Sequence, residues 1–387
     1  MTPAGPVAVS ALYLHIPFCE RKCEYCDFVS VAGTRGQEQY VGVHVDEVRR
    51  TGAALGGSRL ESIFCGGGTP GLLDLSLMGT LMGTVREAFV VAPGAEVTLE
   101  VNPSSTSAER ARAWREAGFN RVSMGVQSTH DDVLQFLGRV HDRDRALDAV
   151  GELRAAGFEN VSVDLIYAVP GLDDERWLAS LEALIACGPD HVSCYELTVE
   201  EGTPLHRSVA AGRVRVADPE AALRQHRVAV ETLCGAGYAQ YEVSNFARPG
   251  FECGHNLVYW RNGYYAACGV GAHGHLPAAA APAFELEAPE GAVAWRHAHG
   301  RSLPRYLRER GLGEVEWVDG ATRDAESLML GLRLREGVLL RGPAMREEAL
   351  RLVVAGLLEV SGDRAVATAR GEEVLNAVTV RLLDAVA

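Results

Sequence analysis

The sequence predicts an α/β protein built as an incomplete, TIM-like (β/α)6 barrel, followed by a smaller, mainly helical domain. Three observations support this prediction. Short apolar runs alternate with longer amphipathic stretches, a helix–glycine–strand phrase occurs twice, and the pattern changes after about Asn245. Alternation of strands and helices is typical of a parallel sheet with right-handed crossovers. In such a barrel we expect the chemistry at the carboxyl ends of the strands.

Six apolar runs have the length of strands. The predicted strands are Leu12–Ile16, Glu61–Cys65, Glu96–Val101, Arg121–Val126, Asn160–Ile166 and His191–Leu197. Predicted helices include Gln37–Thr51, Ala108–Ala117 and Arg143–Ala156. Two phrases, REAGFNRVSMGV and RAAGFENVSVDLIY, each stop a helix at a glycine before the next strand. They indicate a repeated βα unit.

The remainder of the chain divides into three parts. Residues 250–275 are rich in glycine, aromatic residues and histidine, and we predict them to be irregular within a barrel domain of residues 1–275. Residues 276–315 are predicted to be a linker and extension, since they contain the run PAAAAPAFELEAPEGA. Residues 316–387 are predicted to form helices and a short hairpin in a winged-helix-like unit.

Composition limits the possible functions. Of 387 residues, 47% are hydrophobic and 23% charged, which is close to the globular average and sufficient for a large core. The formal net charge of −14 disfavours binding to nucleic acid or anionic lipid, so we expect the winged-helix-like unit to be structural. The chain has nine cysteines, with no secretory leader and no apolar run of roughly 20 residues, which predicts a reducing, cytoplasmic location.

Three cysteines follow the first predicted strand directly. Cys19, Cys23 and Cys26 form the pattern C-x3-C-x2-C on the loop where a barrel places its active site. Thiolates bind iron–sulfur clusters well, and three of them can hold three corners of a 4Fe–4S cube. The fourth iron then remains open to an exogenous ligand. The alternatives are a zinc site completed by a distant His or Cys, and buried free thiols.

C-x3-C-x2-C after a first barrel strand resembles the signature of the radical SAM superfamily. The resemblance implies a radical SAM barrel whose open iron chelates S-adenosylmethionine, and electron transfer that cleaves an S–C bond to give a 5′-deoxyadenosyl radical. The phrases YLHIPFC, GGGTP, EVNP, RVSMGVQS and DLIYAVPG are similar to the oxygen-independent coproporphyrinogen III oxidase group. This similarity extends from about Tyr13 to about His275.

The resemblance also implies which residues bind S-adenosylmethionine. The main site would be lined by Tyr13, Gly67 and Glu100. Positions that match a second site in the decarboxylating enzyme are Tyr25, Gly68, Thr69, Gln127, Arg139, Asp164 and Thr198, with Thr198 in place of an alanine. Considered alone, each polar residue is more often solvated or satisfied in the core. As a set at successive strand ends they favour a ligand site, and glycine allows close approach of a ligand to the backbone.

Two features separate the decarboxylases from the heme chaperones of this group. The decarboxylases carry a fourth cysteine two residues beyond the third, where this chain has Phe28. The chain also matches the chaperones' H-N-x-x-Y-W motif at His255, Asn256, Tyr259 and Trp260. Histidine is a standard axial ligand of heme iron, and tyrosine and tryptophan offer flat faces to a porphyrin. Without the resemblance, an aromatic pair packed in the core beside a hydrogen-bonded histidine is the favoured interpretation.

Further candidates lie around this motif. Arg248 and Arg261 flank it and could pair with heme propionates, although most such arginines are simply solvated. The phrase GVGAHG matches the group's G-x-G-A-H-S except at Gly274, and His273 within it is a secondary ligand candidate. Cys253 is the extra cysteine to test for contact with heme or cluster.

The sequence therefore predicts a heme chaperone that carries a 4Fe–4S cluster and S-adenosylmethionine and transfers heme to an apo-hemoprotein. The expected recipient is respiratory and membrane-bound, so that the chaperone associates with the membrane peripherally through this partner. A homodimer remains open, and no nucleic-acid partner is expected. The alternatives are an oxygen-independent coproporphyrinogen III oxidase, another radical enzyme acting on a porphyrin, and a zinc- or cluster-stabilised DNA-binding protein.

Overall fold

Six parallel strands, each followed by one or two helices, form the larger part of the molecule. The computed structural model describes residues 9–309 and 311–385. The strands are β1 (Ala11–Ile16), β2 (Arg59–Gly67), β3 (Val90–Val101), β4 (Arg121–Gln127), β5 (Asn160–Tyr167) and β6 (His191–Glu196). The helices are α1 (Gln37–Ala54), α2 (Leu75–Ala88), α3 (Ala108–Glu116), α4 (Asp131–Leu137), α5 (Arg143–Ala155), α6 (Asp174–Ala186), α7 (Pro204–Ala210) and α8 (Pro219–Gly235). Every predicted strand overlaps one of the six.

The strands pair in parallel in the order of the chain, from β1 to β6. Their carboxyl ends therefore meet at one edge, as the (β/α)6 prediction requires. Apolar side chains fill both faces of the sheet, which is why β1 reads as a nearly continuous apolar run. Trp114 of α3 and Trp177 of α6 are fully buried against it. Gly118 and Gly157, with φ of 93° and 88°, end the helices in the two repeated phrases as predicted.

Short strands extend both sides of the parallel sheet and leave the barrel incomplete. They are the two-residue strand Ala239–Gln240, β7 (Asn245–Ala247), β8 (Tyr265–Cys268), β9 (His273–Pro277), β10 (Ala292–Ala298) and β11 (Glu314–Asp319). Strand β8 pairs in parallel with β1, whereas β9, β10 and β11 are antiparallel additions. Helices α9 (Gly254–Trp260) and α10 (Leu303–Arg308) lie among them.

The prediction that residues 250–275 are irregular was wrong, because they contain α9, β8 and the start of β9. Helix α9 has only seven residues, too few for a helical period to emerge in the sequence. Strand β8 is defined by its pairing with β1, which is distant in the chain. The segment predicted as linker and extension carries helix α10, together with β10 and the start of β11, which are strands of the same sheet. The boundaries of the domains stay a prediction.

A second hydrophobic core lies in the C-terminal region, as the mainly helical, winged-helix-like prediction requires. Its elements are α11 (Gly320–Gly331), β12 (Val338–Leu339), α12 (Gly342–Val354), β13 (Leu358–Ser361), β14 (Arg364–Ala367), α13 (Ala369–Glu373) and α14 (Leu375–Asp384). Strands β12, β14 and β13 form a small antiparallel sheet against the helices. Among the helices of the described ranges, none is long and apolar enough to cross a membrane.

Candidate cluster and cofactor site

The three cysteines of the C-x3-C-x2-C pattern lie half-buried on the loop that leaves β1. We call residues 19–31 the cluster loop. Two short strands, Phe18–Cys19 and Val31–Ala32, pair in parallel and close its base. The backbone N–H of Glu24 donates to the carbonyl of Leu137, which ties the loop to the end of α4. The loop is therefore held at both its base and its tip.

The thiols suit a cubane cluster. Among the residues that the structure describes, no three His, Cys, Asp or Glu side chains are placed to share one metal ion. A cubane requires a different arrangement, because each cysteine binds its own iron. Burial raises the pKa of Cys19, and raises that of Cys26 to about 11, with the nearby Cys23 thiol adding to both. These thiols release protons when metal binds.

A cavity of about 210 Å³ lies among the strands beside the cluster loop. It is lined by residues from the two sets that the sequence singles out, one for S-adenosylmethionine and one for heme. From the S-adenosylmethionine set, Tyr13, Gly67, Glu100 and Asp164 line the cavity, and from the heme set, His255, Asn256 and Tyr259 do so. Phe28, which occupies the position of the missing fourth cysteine, lines it as well. The barrel thus brings together residues that are up to about 250 positions apart in the chain.

The Gly67–Glu100 contact fits a polar cofactor. The backbone N–H of Gly67 donates to Glu100 Oε2 over 3.0 Å, and burial raises the pKa of this carboxyl to about 7. Gly67 has φ of 116°, and a Cβ at this position would lie 2.4 Å from the His15 ring, so only glycine fits. The Tyr13 hydroxyl lies 3.1 Å from His15 Nδ1. The other ring nitrogen of His15, Nε2, donates to the carbonyl of Val29. These groups can bind amino and hydroxyl groups of S-adenosylmethionine.

Several residues of the implied second site contact the cysteines instead of the cavity. Thr69 Oγ1 lies 3.5 Å from Cys19 Sγ, and Arg139 Nη1 donates to Cys23 Sγ over 3.5 Å. Tyr25 lies close enough to Arg139 for that positive charge to oppose the increase in the tyrosine pKa that burial causes. At the base of the cluster loop, the backbone N–H of Gly68 donates to the carbonyl of Ile16, and that of Thr69 donates to the carbonyl of Phe18.

Gln127 and Thr198 are not among the residues that line the cavity. Gln127 sits at a bulge between β4 and β5 with φ of 69°, in the left-handed region that favours glycine. Strain of this kind persists only where the surroundings impose it, and it clusters at functional sites. Thr198 is exposed, and its hydroxyl donates to the carbonyl of Glu196 over 3.4 Å. Their role in cofactor binding stays a prediction.

His255 lies at the opposite, amino-terminal side of the cavity, which we call the barrel floor. Its ring is fully buried. Nδ1 lies 2.9 Å from Ser62 Oγ, and Nε2 lies 2.8 Å from the Tyr259 hydroxyl. The Glu96 carboxylate accepts the backbone N–H groups of Gly254 and His255 at 2.9 and 3.1 Å, which fixes α9 in place. In this conformation His255 offers no free nitrogen to heme iron, and it matches the alternative of a hydrogen-bonded core histidine.

Trp260, the last residue of the same motif, faces away from the barrel. It lines a groove of about 540 Å³ between α9 and the C-terminal region. The groove wall is mostly apolar, with Leu328, Leu334, Val338, Leu339, Met345 and Leu383, and its rim carries Arg261, Arg341 and Arg364. Pockets that bury small organic ligands typically measure about 300–1,000 Å³, and the volume of the groove lies in that range.

The remaining candidates have local roles. Arg248 stacks its guanidinium on Tyr238, with 4.9 Å to the ring centroid, and does not line the groove. Cys253 is buried beside Glu96 on the barrel floor, and burial raises the pKa of its thiol to about 12. His273 is exposed. A Cβ at Gly274 would lie 2.1 Å from His297 Nε2, which explains why this chain has glycine where the group has serine.

Sequence reasoning missed three residues of the site. Asn102 follows β3 and contacts both Thr69 and Arg139. The sequence did contain a signal for Asn102, because it is a polar residue of the EVNP phrase, like Glu100, and directly follows the end of a strand. His15 joins Tyr13 to the cluster loop, and its spacing of two from Tyr13 places both on one face of β1. Arg121 is fully buried at the cavity, and its Nε has no hydrogen-bond partner among the described residues. An arginine that opens a strand gives no such signal.

Comparisons with known proteins show which proteins this chain resembles. A model of the Radical SAM superfamily matches residues 13–184. The chain is 38% identical to the heme chaperone HemW of Mycobacterium tuberculosis, covering 98% of this chain and 96% of that protein. It is 36% identical to the heme chaperone HemW of Escherichia coli, covering 80% and 79%. The solved structure of coproporphyrinogen III oxidase (HemN) from Escherichia coli matches with a TM-score of 0.81 at 20% identity, covering 97% of this chain and 90% of that chain, which shows a shared fold.

Proposed function

This chain belongs to the HemW family of radical SAM proteins, and we propose that it is a heme chaperone that binds heme and transfers it to apo-hemoproteins. The observation that carries the proposal is the similarity to curated heme chaperones over nearly the whole chain, including the C-terminal region. Phe28 supports it, because the decarboxylases that the sequence resembles have a cysteine at that position. The HemN likeness supports the fold alone.

Radical SAM proteins carry a 4Fe–4S cluster and S-adenosylmethionine. We propose that Cys19, Cys23 and Cys26 hold the cluster here, and that Tyr13, Gly67 and Glu100 orient the cofactor beside it. When bound, the pair supplies one-electron chemistry at the sulfonium. The chain contributes a buried carboxyl that can accept hydrogen bonds from the ligand, and a glycine backbone that the ligand can approach closely.

We propose that heme, as cargo, docks in the groove at Trp260. The indole and the apolar wall suit the faces of a porphyrin, and the rim arginines suit its propionates. Arg261 pairs with Glu336 and Arg341 with Asp324, yet these arginine side chains are 53% and 64% exposed. Exposed ion pairs contribute at most about 1 kcal/mol, so a propionate can replace either carboxylate at low cost. Within the part of the chain that the structure describes, no histidine lines the groove, so heme docked there would keep its iron available to a ligand from the recipient.

Hemin titration tests this proposal. The cluster-loaded protein is titrated with hemin under anaerobic conditions, and the Soret band gives the affinity. We expect binding by the wild type and at least a tenfold weaker affinity for Trp260→Ala, with about 1.4 kcal/mol corresponding to each tenfold. The matched control is Trp317→Ala, another half-buried tryptophan that does not line the groove. Equal affinity of the two variants would exclude the groove, and absence of binding by the wild type would exclude the chaperone.

The second candidate, a coproporphyrinogen III oxidase, is tested in the same preparation. Dithionite, S-adenosylmethionine and coproporphyrinogen III are added, and the porphyrins are separated by chromatography. We expect no protoporphyrinogen IX. Its formation at catalytic turnover would replace the chaperone proposal. A variant with His255→Ala, titrated alongside, separates a direct heme contact from the structural role that its hydrogen bonds support.

We further propose a cytoplasmic protein that reaches the membrane only through a membrane-bound, respiratory recipient. The acidic composition disfavours direct attraction to anionic lipid. Pull-down from a membrane extract with heme-loaded and heme-free protein tests this proposal, and a recipient retained only by the loaded form would support it. Light scattering of the same samples reports whether the chain is a homodimer.

A further inference from the structure

Asn102 connects two side chains that contact the cluster cysteines. It is the first residue after β3, and its amide lies between Thr69 and Arg139. Asn102 Nδ2 donates to Thr69 Oγ1 over 2.9 Å, and Arg139 Nη2 donates to Asn102 Oδ1 over 2.6 Å. Because a guanidinium can only donate, the amide oxygen must face Arg139 and the amide nitrogen must face Thr69. The orientation of the amide is therefore determined by its partners.

This orientation determines the direction of the next hydrogen bond. The Thr69 hydroxyl accepts from Asn102, so its own hydrogen is free to point to Cys19 Sγ, 3.5 Å away. On the other side, Arg139 Nη1 donates to Cys23 Sγ over 3.5 Å. One amide thus orients two donors toward two of the three cysteines of the pattern.

The backbone of Asn102 is held rigidly by its neighbours, which fixes the position from which its side-chain amide extends. The backbone N–H of Asn102 donates to Ser105 Oγ, and the hydroxyls of Ser105 and Thr106 both donate to the Asn102 carbonyl, each over 2.9 Å. Thr69 is buried and donates its backbone N–H to Phe18 at the base of the cluster loop. Arg139 has a second anchor, because Nη2 also donates to the carbonyl of Gly125 over 2.6 Å. Such a frame fixes the donors before the cluster is loaded.

We propose that Asn102 is a positioning residue that holds Thr69 and Arg139 as hydrogen-bond donors to the cluster thiolates, and so sets the reduction potential of the cluster. Reduction adds a negative charge to the cluster. Hydrogen-bond donors and a cation at the sulfurs stabilise that charge and raise the potential. The inference rests on the proposed 4Fe–4S cluster. It assigns Thr69 and Arg139 to the cluster instead of to a second S-adenosylmethionine.

The test is a redox titration of the reconstituted protein, followed by the EPR signal of the reduced cluster. For Asn102→Ala we expect a lower midpoint potential of the cluster. A decrease of about 59 mV corresponds to a tenfold smaller equilibrium constant for its one-electron reduction. Thr69→Val removes one donor at nearly constant shape, and Thr69→Ser restores it, so Ser should recover the wild-type potential while Val should not. The control is Asn120→Ala, because the Asn120 side chain bonds to the backbone of Val97 and Ala95, away from the cysteines.

A double variant gives the decisive result. The Thr69 donor depends on Asn102. The midpoint potential of the double variant Asn102→Ala/Thr69→Val should therefore shift by less than the sum of the shifts in the two single variants. Wild-type potentials in both single variants, with the cluster fully loaded, would overturn the inference. If Asn102→Ala fails to load a cluster, the Thr69 pair decides alone. Hemin affinity is measured in the same samples, so loss of heme binding by the wild type refutes the chaperone proposal without affecting this result.

Discussion

The two ends of the barrel cavity use similar residues in opposite ways. At the mouth, the cysteines of the cluster loop are half-buried, and Phe28 is 68% exposed. At the barrel floor, His255 is fully buried, and both its nitrogens and the Glu96 carboxylate are engaged by the protein. Both ends carry motif residues that the sequence singles out. The difference is that the half-buried cysteine thiols at the mouth can still take a bound group, whereas the ring of His255 and the Glu96 carboxylate at the floor are used to hold the fold.

Residues of a sequence motif can therefore serve two different purposes, which are to bind a group and to stabilise the fold. A cysteine at the mouth has few protein partners, so a bound group can satisfy it. A histidine at the floor stabilises the junction of α9 and β2, so its loss acts on folding before it acts on any ligand. The H-N-x-x-Y-W motif contains both cases, because Trp260 turns outward to the groove while His255 turns inward.

The largest expected effect is at the mouth. We expect Cys23→Ser to weaken cluster binding by more than the roughly 10- to 100-fold in affinity that loss of an outer-shell partner costs, so that little iron and sulfide is retained per chain. The free energy of unfolding of the cluster-free protein should hardly change, since the thiol is half-buried. Cys234→Ser, at an exposed cysteine of α8, is the control and should retain the full content. Equal content in the two variants would remove Cys23 from the cluster.

At the barrel floor, we expect a substitution to lower the free energy of unfolding. We expect His255→Ala to lower the free energy of unfolding by about 2–4 kcal/mol, because it leaves a cavity and deprives the Ser62 and Tyr259 hydroxyls of their partner. Urea unfolding of the cluster-free protein measures this. His273→Ala, at an exposed histidine, should change the value by less than about 0.5 kcal/mol. Similar values for both variants would contradict the structural role of His255.

The pH dependence of stability gives a finer test of the same residue. Burial lowers the pKa of His255 to about 3, while the unfolded chain titrates this group near its ordinary value of about 6.5. Between these values the unfolded state binds the proton and the native state does not, so stability falls as the pH falls. The contribution approaches about 1.4 kcal/mol per pH unit. Unfolding of the wild type and His255→Asn from pH 6 to pH 4 should give slopes that differ by about this amount, and parallel curves would refute it.

The smallest effect is expected at Phe28. Because its ring is mostly exposed, Phe28→Ala should change the free energy of unfolding by less than about 0.5 kcal/mol. Phe18, at the base of the same loop, is fully buried, and Phe18→Ala should cost about 3–5 kcal/mol. Thermal or urea unfolding of the two variants checks the contrast. A large loss at Phe28 would mean that the mouth is packed as tightly as the floor.

The sequence by itself determined the barrel and the location of its chemistry. Strands buried on both faces are mostly apolar, so the positions of β1 to β6 could be predicted from short apolar runs. The spacing of the three cysteines is local, and the loop after β1 carries them whatever the rest of the chain does. The prediction for residues 250–275 was wrong for the complementary reason, since α9 is short and β8 pairs along its whole length with β1, which is distant in the chain.

Tertiary structure alone decided which polar atoms are already engaged. Thr69, Asn102 and Arg139 come from the ends of β2, β3 and α4, and they meet only because the carboxyl ends of the parallel strands converge. The sequence placed His255 in a motif. The motif could not predict that the hydroxyls of Ser62 and Tyr259 form hydrogen bonds with both nitrogens of its ring. Apolar burial follows a local period in the chain, whereas the partner of a polar atom depends on distances across the fold.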